Sequence, residues 1–348
     1  MKILTKCLLV FIFLQFLILG CAKRIYKVAY PTLSDGKYDS EFPYKSCSAQ
    51  LEKISKTVRK LSAIAYYKSY VMAEDSQVTE DDIHHKDYLK KAVSEVFYNN
   101  SVIGTATVIQ YTGRTITLLT CAHVVDFADT VITYFTTGEG KPTAYVQSVA
   151  FKQRQDNFIA DLPERGQLEI LLMDKKRDIA LLGTRFTSDR HYPIPVFDYP
   201  LGKAKTLEWG SFVYLMGYPK GYQMVTEGIV SQPNRDSDGS FLVDALFNKG
   251  FSGGIVLAIK DGVPNFELVG IANSVSADYE YVMSPPENIS RTGYNSRIPY
   301  HGQIYVEFNK VINYGITFII SMESIKNCIK ENESVLLDKG YDLSSLVN

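Results

Sequence analysis

An all-β barrel fold is predicted by three observations. From Val102 onward, short β-branched and apolar runs alternate with turn signals, and helical spacing is confined to the two flanks of the chain. The most distinctive turn, Gly250-Phe251-Ser252-Gly253-Gly254, also lies between strand-like runs, Val243-Asp244-Ala245-Leu246 before it and Ile255 to Ile259 after it. Chain length (348 residues, 46% hydrophobic) fits two core-bearing units or one large β domain. Net charge is −1 and the longest basic run is the three residues Lys175-Lys176-Arg177, so nucleic acid is not an expected partner.

The N-terminal stretch reads as an address. Lys2 and Lys6 precede the apolar run Leu8 to Leu19, which is shorter than the ~20 residues a membrane helix needs and has the layout of a secretory signal. Ile18-Leu19-Gly20-Cys21 resembles the lipobox of bacterial lipoproteins, which implies cleavage before Cys21, acylation of its thiol, and a lipid-anchored place in the cell envelope, at the periplasmic face or the cell surface. The bland alternative is an ordinary cleavable signal. With Cys7 lost and Cys21 acylated, Cys47, Cys121 and Cys328 allow at most one internal disulfide, with Cys47 and Cys328 as the candidate pair.

Lys23 to Ser46 shows no periodicity and reads as a tether. Leu51, Ile54, Val58 and Leu61 recur at helical spacing and lead into a strand over Ala63 to Tyr67. Ala73 to Lys86 is acidic and contains His84-His85 without metal-ligand spacing, which favours a solvated loop. Two strands, Val102 to Ile109 and Thr115 to Thr120, then deliver Cys121-Ala122-His123-Val124-Val125. Further strands lead to Asp178 at the mouth of the apolar run Ile179 to Leu182, with Asp174 as a competitor for its role. Thr187 to Lys205 reads as a connector, Phe212 to Met216 and Thr226 to Ser231 as strands, Tyr279 to Val306 as a long loop, Asn313 to Ile320 as the last strand, and Met322 to Leu337 as a terminal helix.

A serine among glycines suits a nucleophile on a tight turn. An α/β-hydrolase elbow needs a helix after its serine, whereas Ile255 to Ile259, Lys260-Asp261-Gly262 and Leu268 to Ile271 read as a hairpin. A lone histidine is usually structural, but His123, Asp178 and Ser252 stand in chain order in strand context. Imidazole can take and return the serine proton, and a desolvated aspartate needs a donor such as a histidine N–H.

These motifs resemble the trypsin-like, chymotrypsin-fold serine proteases, nearer to the HtrA type than to digestive enzymes. The resemblance covers roughly Leu51 to Ile329 and includes Gly217-Tyr218-Pro219 and Thr226 to Val230. It implies a double β-barrel with flanking N- and C-terminal helices. Its parts are a signal over 1–20, a lipidated tether over 21–48, a first barrel over 49–190 carrying His123 and Asp178, a second over 191–337 carrying Ser252, and a tail over 338–348. It also implies a catalytic triad, an oxyanion hole from the N–H groups of Gly250 and Ser252, protein or peptide substrates, no metal or organic cofactor, and assembly as a homo-oligomer, a trimer by family likeness.

Leu246, six residues before Ser252, occupies the family's primary-pocket base and implies small or medium apolar side chains at the cleaved residue. Ile271-Ala272-Asn273 is the expected substrate-pairing edge. Phe251 stands where digestive members carry an aspartate and HtrA relatives a small polar residue, so activation through a new N-terminus is not expected. The short stretch after Ile320 is not expected to hold a PDZ module. The alternative reading is a protease-fold binding or chaperone-like lipoprotein with an unformed oxyanion hole.

Overall fold

The computed structural model describes residues 34–138, 140–285 and 297–347. The expected signal over 1–20 and acylation site Cys21 lie outside them, as does 286–296 of the Tyr279 to Val306 stretch.

Helix α1 (Ser48–Ser55) stops early. Thr57 turns both its N–H (2.9 Å) and its hydroxyl (2.7 Å) onto the Ile54 carbonyl, and β-branched Val58 opens strand β1 (Val58–Met72). The helical spacing expected through Leu61 therefore gives way to alternation, with Leu61, Ala63, Ala65 and Tyr67 buried. The acidic stretch after β1 folds into α2 (Glu80–His84) and α3 (Tyr88–Lys91), with Thr79 and Asp82 capping reciprocally and Val78, Ile83 and Tyr88 packed on Met72 and Val149. Strands β2 (Ala92–Thr112), β3 (Thr115–Thr120), β4 (Thr130–Thr136), β5 (Pro142–Phe158), β6 (Gln167–Asp174) and β7 (Ile179–Arg185) complete the first unit. The order β1-β2-β3-β7-β6-β5 closes through antiparallel pairing of β1 with β5, and β4 extends the sheet from β5.

The second unit comprises β8 (Phe212–Gly217), β9 (Met224–Gln232), β10 (Phe241–Val243), β11 (Ile255–Ile259), β12 (Phe266–Ser284) and β13 (Tyr305–Ser321), closed in the order β10-β13-β12-β11-β8-β9. Every residue of β8 and β11 is buried because both faces are covered. Val213, Leu215, Val256 and Ala258 fill this barrel, while Phe212, Met216, Ile255, Leu257 and Ile259 face the core shared with the first barrel. The chain is thus an all-β double barrel of chymotrypsin type. The last strand is longer than expected: β13 begins at Tyr305 and pairs with β12 from Ser284 back to Gly270.

Both ends of the globular part differ from their expected roles. Residues from Tyr38 do not form a loose tether. Asp39 N–H donates to Ile259 O (2.9 Å), Phe212 N–H to Asp39 O (2.8 Å), and the Tyr38 hydroxyl to Glu267 (2.6 Å). At the other end, α4 (Met322–Glu331), capped by Ser321, and α5 (Glu333–Asp338) replace one continuous helix. The expected tail is docked, with Tyr341 and Leu343 buried in the shared core before α6 (Ser344–Val347). Cys47, Cys121 and Cys328 are buried free thiols, so the candidate Cys47–Cys328 bridge is not formed. Among the described residues no helix is long and apolar enough to cross a membrane.

Asp39 is a buried carboxyl whose burial raises its pKa to about 6, against a lowering pull from the Gly262 N–H. A carboxyl with a raised folded pKa stabilises the fold below its unfolded value, and that contribution is lost as pH rises through the folded value. Asp39→Asn is expected to flatten the dependence of melting temperature on pH between about 4 and 7 and to raise it at the upper end. Thermal melts across that range check this, and an unchanged slope would clear the carboxyl as its source.

Candidate active site

The turn after β3 and the turn between β6 and β7 meet face to face. The backbone N–H of His123 donates to Asp178 Oδ1 (2.8 Å), His123 Nδ1 lies 2.6 Å from Asp178 Oδ2, and Ala122 N–H donates to the Asp178 carbonyl (3.1 Å). With Nδ1–H donating to the carboxylate, the lone pair rests on Nε2. Asp178 holds a left-handed backbone (φ 58°), which short acidic side chains tolerate better than most. Asp174 instead shapes the turn, since its Oδ1 accepts from the N–H groups of Lys176 and Arg177 (3.0 Å each). Burial would push the Asp174 carboxyl up, but the N–H and guanidinium of Arg177 outweigh it and hold the group below its ordinary value. Arg177 in turn forks onto Glu331 of α4 (2.7 and 2.8 Å), which ties the turn before Asp178 to the C-terminal helix.

The serine turn enters from the other barrel. Gly250 has φ +100°, and a Cβ there would lie 2.3 Å from the Tyr218 carbonyl oxygen; at Gly253 it would lie 2.2 Å from the Thr105 carbonyl oxygen. Only glycine fits either position. Phe251 is 2% exposed, stacked on Phe247 (5.8 Å between centroids) in the core of the second barrel. The turn is therefore anchored by packing. Phe251 N–H donates to Asn248 O (3.0 Å) and Gly254 N–H to Phe251 O (2.8 Å). Among the described residues, the N–H groups of Gly250 and Ser252 have no internal acceptor. The Ser252 hydroxyl donates to Asn273 O (3.1 Å) and forms no hydrogen bond with His123 in this geometry.

Thr105 of β2 joins the two halves. Its N–H donates to Ser252 O (2.8 Å), its hydroxyl donates to Gly250 O (2.7 Å) and accepts from Tyr218 N–H (2.8 Å), and its carbonyl accepts from the Thr120 hydroxyl (2.7 Å). Motif reading missed this residue. The available signal was a threonine among strand positions whose neighbours are core, since a buried hydroxyl needs partners.

The expected substrate-contacting residues fall out differently. Leu246 is 59% exposed, not enclosed at a pocket base; the residue before it, Ala245, accepts at its carbonyl from the Thr317 hydroxyl (2.8 Å). Ile271 is buried and paired on both sides, with Ile255 and Ile320. Ala272 has both backbone groups occupied, by Gly254 O (2.7 Å) and Gly253 N–H (2.8 Å). Neither offers a free edge; of that trio only Asn273 does. The Cys121 thiol, pushed well above its ordinary pKa by burial and by Asp178, donates to Ala272 O (3.4 Å). Cys121, His123 and Asp178 place possible ligand atoms within 4.8 Å of one another, but each is already engaged in these hydrogen bonds.

Two closed antiparallel barrels, with a His–Asp pair and a glycine-flanked serine at their junction, define the chymotrypsin-type class. Residues 104–271 match the family described as trypsin-like peptidase domain. Among solved structures it is similar to the serine endoprotease from Yersinia pestis (17% identity, TM-score 0.40, covering 86% of this chain and 69% of that one). It is also similar to Rv3671c protease in an inactive form (14% identity, TM-score 0.39, covering 83% and 98%). No curated protein matches the chain.

Thr105→Val keeps the shape but leaves the Gly250 carbonyl and the Tyr218 N–H without their partner. It is expected to cost about 1–3 kcal/mol in denaturant melts, whereas Thr105→Ser should stay within about 1.5 kcal/mol of wild type. Equal costs for the two would mean that the methyl packing matters and the hydroxyl does not.

Proposed function

We propose that the chain is a serine endopeptidase working through His123, Asp178 and Ser252. The observation that carries the reading is the pairing of an oriented imidazole with two unengaged N–H groups, Gly250 and Ser252, on the same turn as the serine hydroxyl. Rotation about the Ser252 Cα–Cβ bond moves the hydroxyl from Asn273 O toward Nε2. Nε2 takes the proton as Oγ attacks the scissile carbonyl carbon, and the carbonyl electron pair moves to an oxyanion received by the two N–H groups. The imidazolium, stabilised by Asp178, returns the proton to the leaving amine, and water repeats the cycle to free the acyl group.

The lipobox-like Cys21 supports acylation and anchorage in a bacterial cell envelope, with envelope or extracellular proteins as substrates. A tether from Cys21 to the docked Tyr38 reaches at most about 60 Å.

A second reading, a binding module of protease fold, is favoured by one observation: the serine hydroxyl rests on Asn273 O and not on His123. Digestion of an unfolded protein such as β-casein separates the two. Wild type is expected to cut it, Ser252→Ala to be inactive, and His123→Ala to lose about 10⁴-fold or more in turnover. Cutting that survives in both variants would remove these residues from the chemistry.

A further inference from the structure

Strand β12 runs from the floor of the second barrel, past the serine turn, and out into solvent. From Phe266 to Ile271 it pairs with β11 on one edge, and from Gly270 onward it pairs with β13 on the other. Ala272 uses its last bonds on that first edge with Gly253 and Gly254. From Asn273 to Ser284, β12 pairs only with β13, so its β11-side edge carries no strand among the described residues. That open edge begins at the carbonyl that holds the Ser252 hydroxyl. It continues for about 40 Å at the ~3.3 Å rise of a strand.

The ribbon is two-faced. The register sets Tyr281 opposite Phe308 and Met283 opposite Val306, which places Tyr279, Tyr281, Met283, Val306 and Phe308 on one face. These five are between 58% and 80% exposed, and the Tyr279 and Phe308 rings stack at 5.0 Å. Asp278, Glu280 and Glu307 lie on the opposite face. Proteins usually blunt an open edge with lysine, proline or a covering loop, because its unpaired N–H and C=O groups recruit other chains. Residues 273–284 contain no lysine and no proline.

We propose that this edge is an extended docking strand for the substrate polypeptide itself, upstream of the bond to be cut. The inference rests on the peptidase reading above. Continuity with the site fixes the occupant: a chain seated on the β12 edge is delivered directly to Ser252. The proposal seats the chain antiparallel to β12, the sense of every ladder in this barrel, which brings its C-terminal end to the serine. The segment on the ribbon is therefore N-terminal to the scissile bond, with residues roughly six to ten positions upstream opposite Tyr279, Tyr281 and Met283. Main-chain bonds select an extended, unfolded chain, and the exposed face selects aromatic or bulky apolar side chains at alternate positions. Basic side chains between them would meet the acidic face. The surface thus favours unfolded polypeptide over short peptides.

The test uses peptides built on the best site mapped in β-casein. One stops four residues upstream of the cut; a second adds eight residues with alternating Phe and Lys; a third adds the same extension with N-methylated backbone. The second is expected to exceed the first in kcat/KM by about tenfold, through KM, roughly the worth of one or two aromatic contacts. The gain should disappear with the third peptide and in the Tyr281→Ser/Phe308→Ser variant, which should cut the short peptide as wild type does. Equal cutting of short and long peptides would overturn the docking strand and leave the peptidase reading standing. No cutting of any peptide would overturn both. A ribbon variant that turns an oligomer into a monomer yet keeps the extension gain would assign the surface to a second copy of the chain and overturn the proposal.

Discussion

Thr105 is the point on which the site depends. A serine turn built on glycines has little stiffness of its own, and its reactive shape must be imposed from outside. Thr105 supplies this with a backbone bond to Ser252 and a hydroxyl shared between Gly250 and Tyr218. Because Thr105 belongs to the first barrel and the turn to the second, Ser252 is positioned only when the barrels are docked. The same docking brings Thr120 and Cys121, just before His123, against Gly253 and Ala272. Assembly of the site is thereby tied to the docking of the two barrels.

The chain ends reinforce that docking. The C-terminal helix leaves the second barrel, crosses to the first, and buries Met322, Ile325, Cys328 and Ile329 in the shared core. Its Glu331 clamps Arg177 beside Asp178, and beyond it the Tyr341 hydroxyl reaches Glu169 (3.1 Å). Residues 38–39 fasten the N-terminal segment to the Ile259 end of β11, away from the Ser252 end of the same strand. An anchor attached ahead of Tyr38 would therefore pull on the barrel floor and not on the serine turn.

The fold class and the residues of the candidate site were legible because both are written locally. A strand-sized apolar run beside a turn is visible in a few residues, and His123, Asp178 and Ser252 each sit in such a context. What was not legible is non-local or negative. Thr105 has four partners, but every one is remote in sequence. Phe251 looked like a lost ion pair, because sequence records the missing charge and not Phe247 waiting to pack on it. The outer half of β12 and β13 reads as a loop, since a ribbon without a buried face shows no core alternation. Tyr341 and Leu343 are too few to announce that the expected tail is core. Ile271 and Ala272 were expected at the substrate edge because likeness gives the strand, while the pairing of β11 decides where its free edge begins.

The most direct measurement is labelling of the folded protein with a fluorophosphonate, which requires both an activated serine and a hole for the phosphoryl oxygen but no knowledge of substrate. The account predicts stoichiometric labelling that is abolished by Ser252→Ala. A folded wild type that stays unlabelled, or labelling that persists in the variant, would contradict it.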